Sequence, residues 1–377
     1  MTTPSYRTIA SPIAASIAFV MELTLVPLLL PTIQSDLGLT IGNIAWFFNS
    51  YGISVAVGVI AGGWVSDVFG IRKVFGAGVL LFALGAIVVM FAGGFETLIA
   101  GRVLQGLGGG LYSPLVPVLL IKALPRRPGK ILIIWGSITG YVAAVAPLAV
   151  SWAIPFVGWQ SVFLFFATLA GGALSLSAGS RSDVSEPITR NAPNLRLLLQ
   201  APKLWLVFGY IFCTYGAITF YLFKLPLQLA EMNSEAATIG IVLASIWLSF
   251  SVSGTLLRNW VDSSHIRMIV LAAPLLIAAS FLMAFLSSQM AFLISSAVLL
   301  GAGFACSNAP STQLVLKFAP KELSAISMSL DITSARLGGV ATVTLLAHSE
   351  LGSSLIVTAA LSLAALVFAL IFLEERF

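Results

Sequence analysis

Charge is what this chain has least of. Only 9% of its 377 residues are Asp, Glu, Lys or Arg, against 59% hydrophobic, and its mean hydropathy is +1.03. A soluble domain of this size needs far more surface charge, so the composition excludes one. Cysteine is nearly absent. Cys213 and Cys306 both fall in apolar runs, which excludes a disulfide framework and reads them as small buried residues. The two histidines, His265 and His348, lie at predicted helix ends. No HExxH, paired-His haem pattern or nucleotide-binding glycine loop is present, so no metal or cofactor is expected and a membrane enzyme has little to stand on. Segments of ~10 residues with alternating polarity are missing too, which excludes a transmembrane barrel.

What the chain has instead is about twelve apolar runs of the ~20 residues that a membrane-crossing helix needs. They fall near 9–33, 43–64, 73–92, 97–122, 131–153 and 161–179, then 204–228, 236–257, 268–288, 290–315, 323–347 and 352–373. The first is too long for a signal peptide and contains Glu22, so it is kept as a span. Residues 180–203 form the longest polar stretch. They are expected to link an N-terminal bundle, 1–179, to a C-terminal bundle, 204–377. The halves echo each other: Pro125 and its basic loop against Pro320, Lys321 and Glu322, and Gly106 to Pro114 against Gly301, Gly303 and Pro310. The fold expected is all-α and integral to the membrane: twelve spans in two pseudo-symmetric six-helix bundles.

The net charge of +5 does not imply nucleic acid, because of where the charges lie. All but three of the 19 Lys and Arg fall in alternate loops or at the termini, as in Arg72 with Lys73, Arg126 with Arg127, and Arg181, Arg190 and Arg196. The other loops carry Asp36, Glu96, Glu231, Glu235 and Glu350. This bias predicts a multi-pass protein of the cell (inner) membrane with both termini in the cytoplasm. It is expected to act as a monomer whose partners are protons, a small molecule and the bilayer.

Charges inside a span are costly and each is a candidate site. Glu22, near the middle of the first run, is the leading proton carrier, its alternative role being a structural acid bonded to a neighbouring helix. Arg102, Gln105 and Gly106 are three and four residues apart and share a helix face. Arg102 can bond another span or tune Glu22, or it can snorkel from a packing seam to the outer interface. Lys224 lines a substrate path or reaches the interface. Asp331 is a second candidate proton site. Arg336, five residues on, diverges from it by ~140° around the helix, so the two are expected to find partners elsewhere. Trp46, Tyr51, Tyr112, Tyr141, Tyr215, Tyr221 and Trp247 are candidate cavity aromatics, packing and interface belts being the commoner use of such residues.

Several of these stretches resemble one family. GGWVSDVFGIRK, Gly62 to Lys73, resembles the G-x-L-a-D-r-x-G-r-k loop between spans two and three of the major facilitator superfamily. Gly63, Val65, Ser66, Asp67, Gly70, Arg72 and Lys73 fill that pattern, while Val68 and Ile71 replace basic residues. MELTLVPLLLPTIQSDL is similar to the first span of the drug:proton antiporter branch, with Glu22 where that branch has Asp. Arg102, Gln105 and Gly106 resemble its R-x-x-Q-G motif, LPLQL after Lys224 the end of its seventh span, and Arg336, Gly338 and Gly339 its R-x-G-G. The fifth-span G-P-x-x-G-G is reduced to Ala146-Pro147. About twelve spans stand where the branch members that look most similar have fourteen.

The resemblance implies a secondary active transporter that exports small amphipathic molecules against protons, as multidrug efflux antiporters do. It implies a conformational latch at Gly63, Asp67, Gly70, Arg72 and Lys73, in which the carboxylate docks on the N-terminus of span eleven. The weakened fifth-span motif keeps open an importer of a metabolite or metal chelate such as a siderophore. A membrane enzyme or a transport-dead sensor ranks below both.

Overall fold

A computed structural model describes residues 6–125, 128–178, 196–261, 265–287, 289–349 and 351–374. The described residues are helical apart from their connections, and no strand occurs among them. In hydrocarbon every backbone N–H and C=O must be satisfied within its own segment, and helices do this without help from neighbours.

The N-terminal helices are α1 (Tyr6–Asp36), α2 (Ile41–Phe69), α3 (Ile71–Met90), α4 (Phe95–Tyr112), α5 (Leu115–Ala123), α6 (Pro128–Val157) and α7 (Gln160–Ala178). A short α8 (Arg196–Leu199) follows. The C-terminal helices are α9 (Pro202–Glu231), α10 (Ala236–Val261), α11 (Ile266–Leu286), α12 (Met290–Phe318), α13 (Ser324–Leu346) and α14 (Leu351–Leu373). Thr40 caps α2 by accepting from the Asn43 N–H at 3.2 Å. The predicted fourth span is broken at Ser113-Pro114, where proline has no N–H to give and the chain re-enters a helix as α5.

Eleven segments among the described residues, with α4 and α5 counted as one, are long and apolar enough to cross a membrane. The twelfth span is α13. Its 23 residues reach about 35 Å, enough for a bilayer core. Its polar content, Asp331 and Arg336 included, is what makes it less apolar than the others.

The chain divides into two compact units between residues 191 and 192. Of the expected linker, residues 180–195 lie outside the described residues, as do the loop positions Arg126, Arg127 and Glu350; 196–203 hold α8 and the start of α9. The same internal packing recurs in each unit. In the first, α4 packs between α2 and α3, α1 lies on α6 and α7, and α3 meets α7. In the second, α12 packs between α10 and α11, α9 lies on α13 and α14, and α11 meets α14. That recurrence is the pseudo-symmetry expected from the sequence echo.

Candidate functional site

In the first unit, α1 and α4 bring Glu22 and Arg102 together. An Arg102 guanidinium N–H donates to Glu22 Oε1 at 2.6 Å, and each side chain is only 1% exposed. The same nitrogen donates to Gln105 Oε1 at 2.9 Å, one turn along α4, and Arg102 Nε donates to the Phe47 carbonyl of α2 at 3.3 Å. The guanidinium carbon lies 4.3 Å from the Tyr51 ring centroid and 4.9 Å from that of Phe47. A charge at this depth needs both pairing and hydrogen bonds, and here it has both. Arg102 therefore does not snorkel to the outer interface, one of the two roles its place in the sequence allowed. Glu22 Oε2 and Gln105 Nε2 are buried with no hydrogen-bond partner among the described residues. One acceptor and one donor are thus left open beside the ion pair.

The glycines of α4 set this geometry. A Cβ at Gly106 would lie 2.6 Å from the Tyr51 carbonyl, and one at Gly108 or Gly110 would run into the backbone of α3 or α2. Close approach on both faces lets Arg102 reach the carbonyl of α2 and the carboxylate of α1 together. Tyr112 belongs to this packing. It is fully buried, donates to the Ala15 carbonyl at 3.0 Å and meets Phe19, Phe75 and Phe82 edge to face.

The second unit has its own polar cluster. Asp331 on α13 is 7% exposed and accepts from Thr312 of α12 at 3.1 Å. It makes no ion pair with Arg336; both lie within electrostatic reach of Tyr215 on α9. The Tyr215 hydroxyl donates to Asn308 Oδ1 at 2.7 Å. Its ring meets Phe304 at 5.4 Å, and Phe304 in turn packs with Trp247 at 5.8 Å and Phe250 at 4.6 Å. Trp247 Nε1 is buried with no acceptor among the described residues. Phe47, Asn308, Thr312, Phe250 and Phe304 were not singled out from the sequence. Asn308 and Thr312, four apart in an apolar run, carried the signal that could have found two of them.

The other candidates are scattered. Trp46 and Tyr141 are 50% and 71% exposed. Tyr221 is buried, its hydroxyl within 2.6 Å of Ser296 Oγ, and it shares a cleft with Lys224. In the signature loop, Asp67 is half-buried in the last turn of α2 with no partner among the described residues. Gly70 closes that helix with φ +88° and its N–H on the Ser66 carbonyl at 3.0 Å. Gly63 lies one turn before Asp67, and Arg72 and Lys73 open α3.

Eleven apolar segments of membrane-crossing length among the described residues, with α13 long enough to be a twelfth, in two units of like packing define a repeat-built, multi-pass membrane protein. The profile of the Major Facilitator Superfamily matches residues 13–343. The chain belongs to that superfamily. A multidrug resistance protein B homolog of Mycobacterium tuberculosis is 30% identical over 199 residues, 52% of this chain and 37% of that protein. A tetracenomycin C resistance and export protein of Streptomyces glaucescens is 33% identical over 162 residues, 42% of this chain and 29% of that one. The chain thus spans about a third of the length of these curated relatives. Among solved structures, a peptide transporter in complex with sulfate matches at TM-score 0.77 and 17% identity, over 98% of this chain and 94% of that one. A D-xylose–proton symporter matches at 0.74 and 15%, over 98% and 96%. At these identities the likeness is one of fold.

Proposed function

We propose that this chain is a secondary active transporter of the cell membrane that exports small amphipathic molecules in exchange for protons, by alternating access. The observation that carries the reading is the Glu22–Arg102–Gln105 network, buried in the first unit. Its superfamily membership supports transport, and the names of the relatives, multidrug resistance and tetracenomycin export, favour efflux.

Glu22 is the proton carrier in this reading. Oε1 is held by Arg102, and Oε2 is open to accept a proton. Protonation removes the charge that Arg102 pairs with. Arg102 keeps Gln105 and the Phe47 carbonyl, so the cation is not abandoned. The two protonation states thus hold α1 and α4 by different contacts, which is what a proton needs in order to bias a conformational equilibrium. Asp331 takes the role of a second carboxylate, one that offers a counter-charge to cationic substrates. Tyr215, Trp247, Phe250 and Phe304 offer the flat apolar wall that aromatic substrates favour. The loop around Asp67 and Gly70 serves as a conformational latch. Both termini lie in the cytoplasm and the monomer is the working unit.

The test is extrusion of a cationic aromatic dye from energised cells that express the chain. Export predicts faster loss of dye than in control cells, abolished by an uncoupler. Uptake of a substrate into right-side-out vesicles, with no dye loss, would instead make this an importer.

A further inference from the structure

Lys224 sits in α9 seven residues before that helix ends at Glu231, or about 10 Å along the axis. It is half-buried, and no carboxylate or hydrogen-bond acceptor among the described residues pairs with it. A lysine this close to a helix end reaches the interface, where anionic lipid groups are available to it.

A shallow cleft opens at this position. Phe220, Tyr221, Lys224 and Gln228 of α9 line it, with Phe281 of α11 and Leu355 of α14. All three helices are within about two or three turns of the same end of the unit: α11 ends at Leu286 and α14 begins at Leu351. The walls are built rather than incidental. Phe220 stacks on Phe281 at 6.4 Å and 12°, and Tyr221 meets the same ring edge-on at 5.4 Å. The Tyr221 hydroxyl is already bonded to Ser296. Lys224 and Gln228, one turn apart on one face, supply the donors that remain.

The rim shows what the cleft faces. Leu282, Phe285 and Ile356, beside the lining residues of α11 and α14, are 53%, 49% and 73% exposed. In helices that cross a bilayer, large apolar side chains exposed in this way meet acyl chains. The shallow cleft therefore sets a cation and an amide near the depth of the headgroups, beside a rim of lipid-facing apolar side chains. This arrangement is also separate from the Asp331 cluster, since Lys224 lies nine residues, about 13 Å, along α9 from Tyr215.

We propose that this cleft binds an acidic phospholipid of the surrounding leaflet. Lys224 and Gln228 hold the phosphodiester, and an acyl chain lies along the exposed rim residues Leu282, Phe285 and Ile356. Charge complementarity selects an anionic headgroup, and the exposed apolar rim beside it selects a lipid over a small free anion.

The test is native mass spectrometry of the purified full chain in detergent. Phosphatidylglycerol and phosphatidylcholine of identical acyl chains are added in competition. The wild type is expected to retain phosphatidylglycerol about fivefold over phosphatidylcholine, the size that one basic residue near an anionic surface supplies. Lys224→Gln should abolish that preference, Lys224→Arg should keep it, and Gln228→Ala should reduce it. Size-exclusion profiles matching the wild type establish that the variants are folded. Equal retention of both lipids by the wild type, or an undiminished preference in Lys224→Gln, would overturn the assignment. So would displacement of the bound phosphatidylglycerol by millimolar inorganic phosphate, which would make the site a reader of free anions.

Discussion

Arg102 and Glu22 are 80 residues apart in sequence and 2.6 Å apart in space, and neither has more than 1% of its side chain exposed. A buried pair of this kind resists the loss of one member more than the loss of both. Arg102→Ala leaves a carboxylate without its partner, a change that costs about 3–5 kcal/mol in such pairs. Glu22→Gln keeps an oxygen for Arg102 and should cost less. The double variant Glu22→Gln/Arg102→Ala should therefore melt above Arg102→Ala alone when thermal unfolding is followed in detergent. Additive losses would mean that the two side chains do not act as a pair.

The glycine seam of α4 makes a sharper stability prediction. Gly108→Ala places a Cβ against the backbone of Phe82 and Gly78, which cannot swing aside as a side chain can. Overpacking of this kind costs about 1–3 kcal/mol. Gly171→Ala and Gly172→Ala on α7 meet nothing within 4 Å and should leave the melting temperature unchanged. The comparison fails if all three variants melt alike.

Gly70 tests backbone strain separately from space. It has φ +88°, and a Cβ at this position would meet nothing within 4 Å, so Gly70→Ala introduces no clash. Its cost comes from the backbone alone, at about 1–3 kcal/mol. Gly76→Ala, also in open space but with ordinary helical geometry, is the control and should cost nothing measurable. Hydrogen exchange at the α2–α3 connection should rise in Gly70→Ala only.

Much of this arrangement could be read from the chain, for identifiable reasons. Apolar runs of bilayer length are long signals, and every predicted span has a helix at its place. Glu22, Arg102 and Asp331 were legible because a charge inside such a run has no ordinary reason to be there. Arg102 was legible as a tuner of Glu22 or as a bond to another span. That it does both at once was not, since that depends on how closely the glycines of α4 let α1 and α2 approach. Thr312 and Asn308 are uncharged and pass unremarked in a run that tolerates hydroxyls. The break at Ser113-Pro114 was visible as a proline, but proline inside a membrane helix kinks in some contexts and not in others. Tyr112, a candidate cavity aromatic for which packing was the commoner alternative, is held in the packing by Ala15 and three phenylalanines.

Asp331 should set substrate charge more than stability. The hydrogen bond it accepts from Thr312 can be kept by the amide oxygen in Asp331→Asn. The melting temperature should then fall by no more than one hydrogen bond accounts for, about 0.5–1.5 kcal/mol. Transport of cationic substrates should drop at least several-fold while that of neutral ones persists. An equal loss for both classes would place Asp331 in proton coupling instead.

The central claim is that Glu22 carries the proton exchanged for substrate. Its most direct test is proton movement in proteoliposomes of the purified chain, with an imposed pH gradient and a pH-sensitive dye inside. Added cationic aromatic substrate should dissipate the gradient in the wild type. Glu22→Gln should bind the same substrate with affinity within a few-fold of the wild type and move no protons. Substrate-driven dissipation by Glu22→Gln at the wild-type rate would contradict the claim.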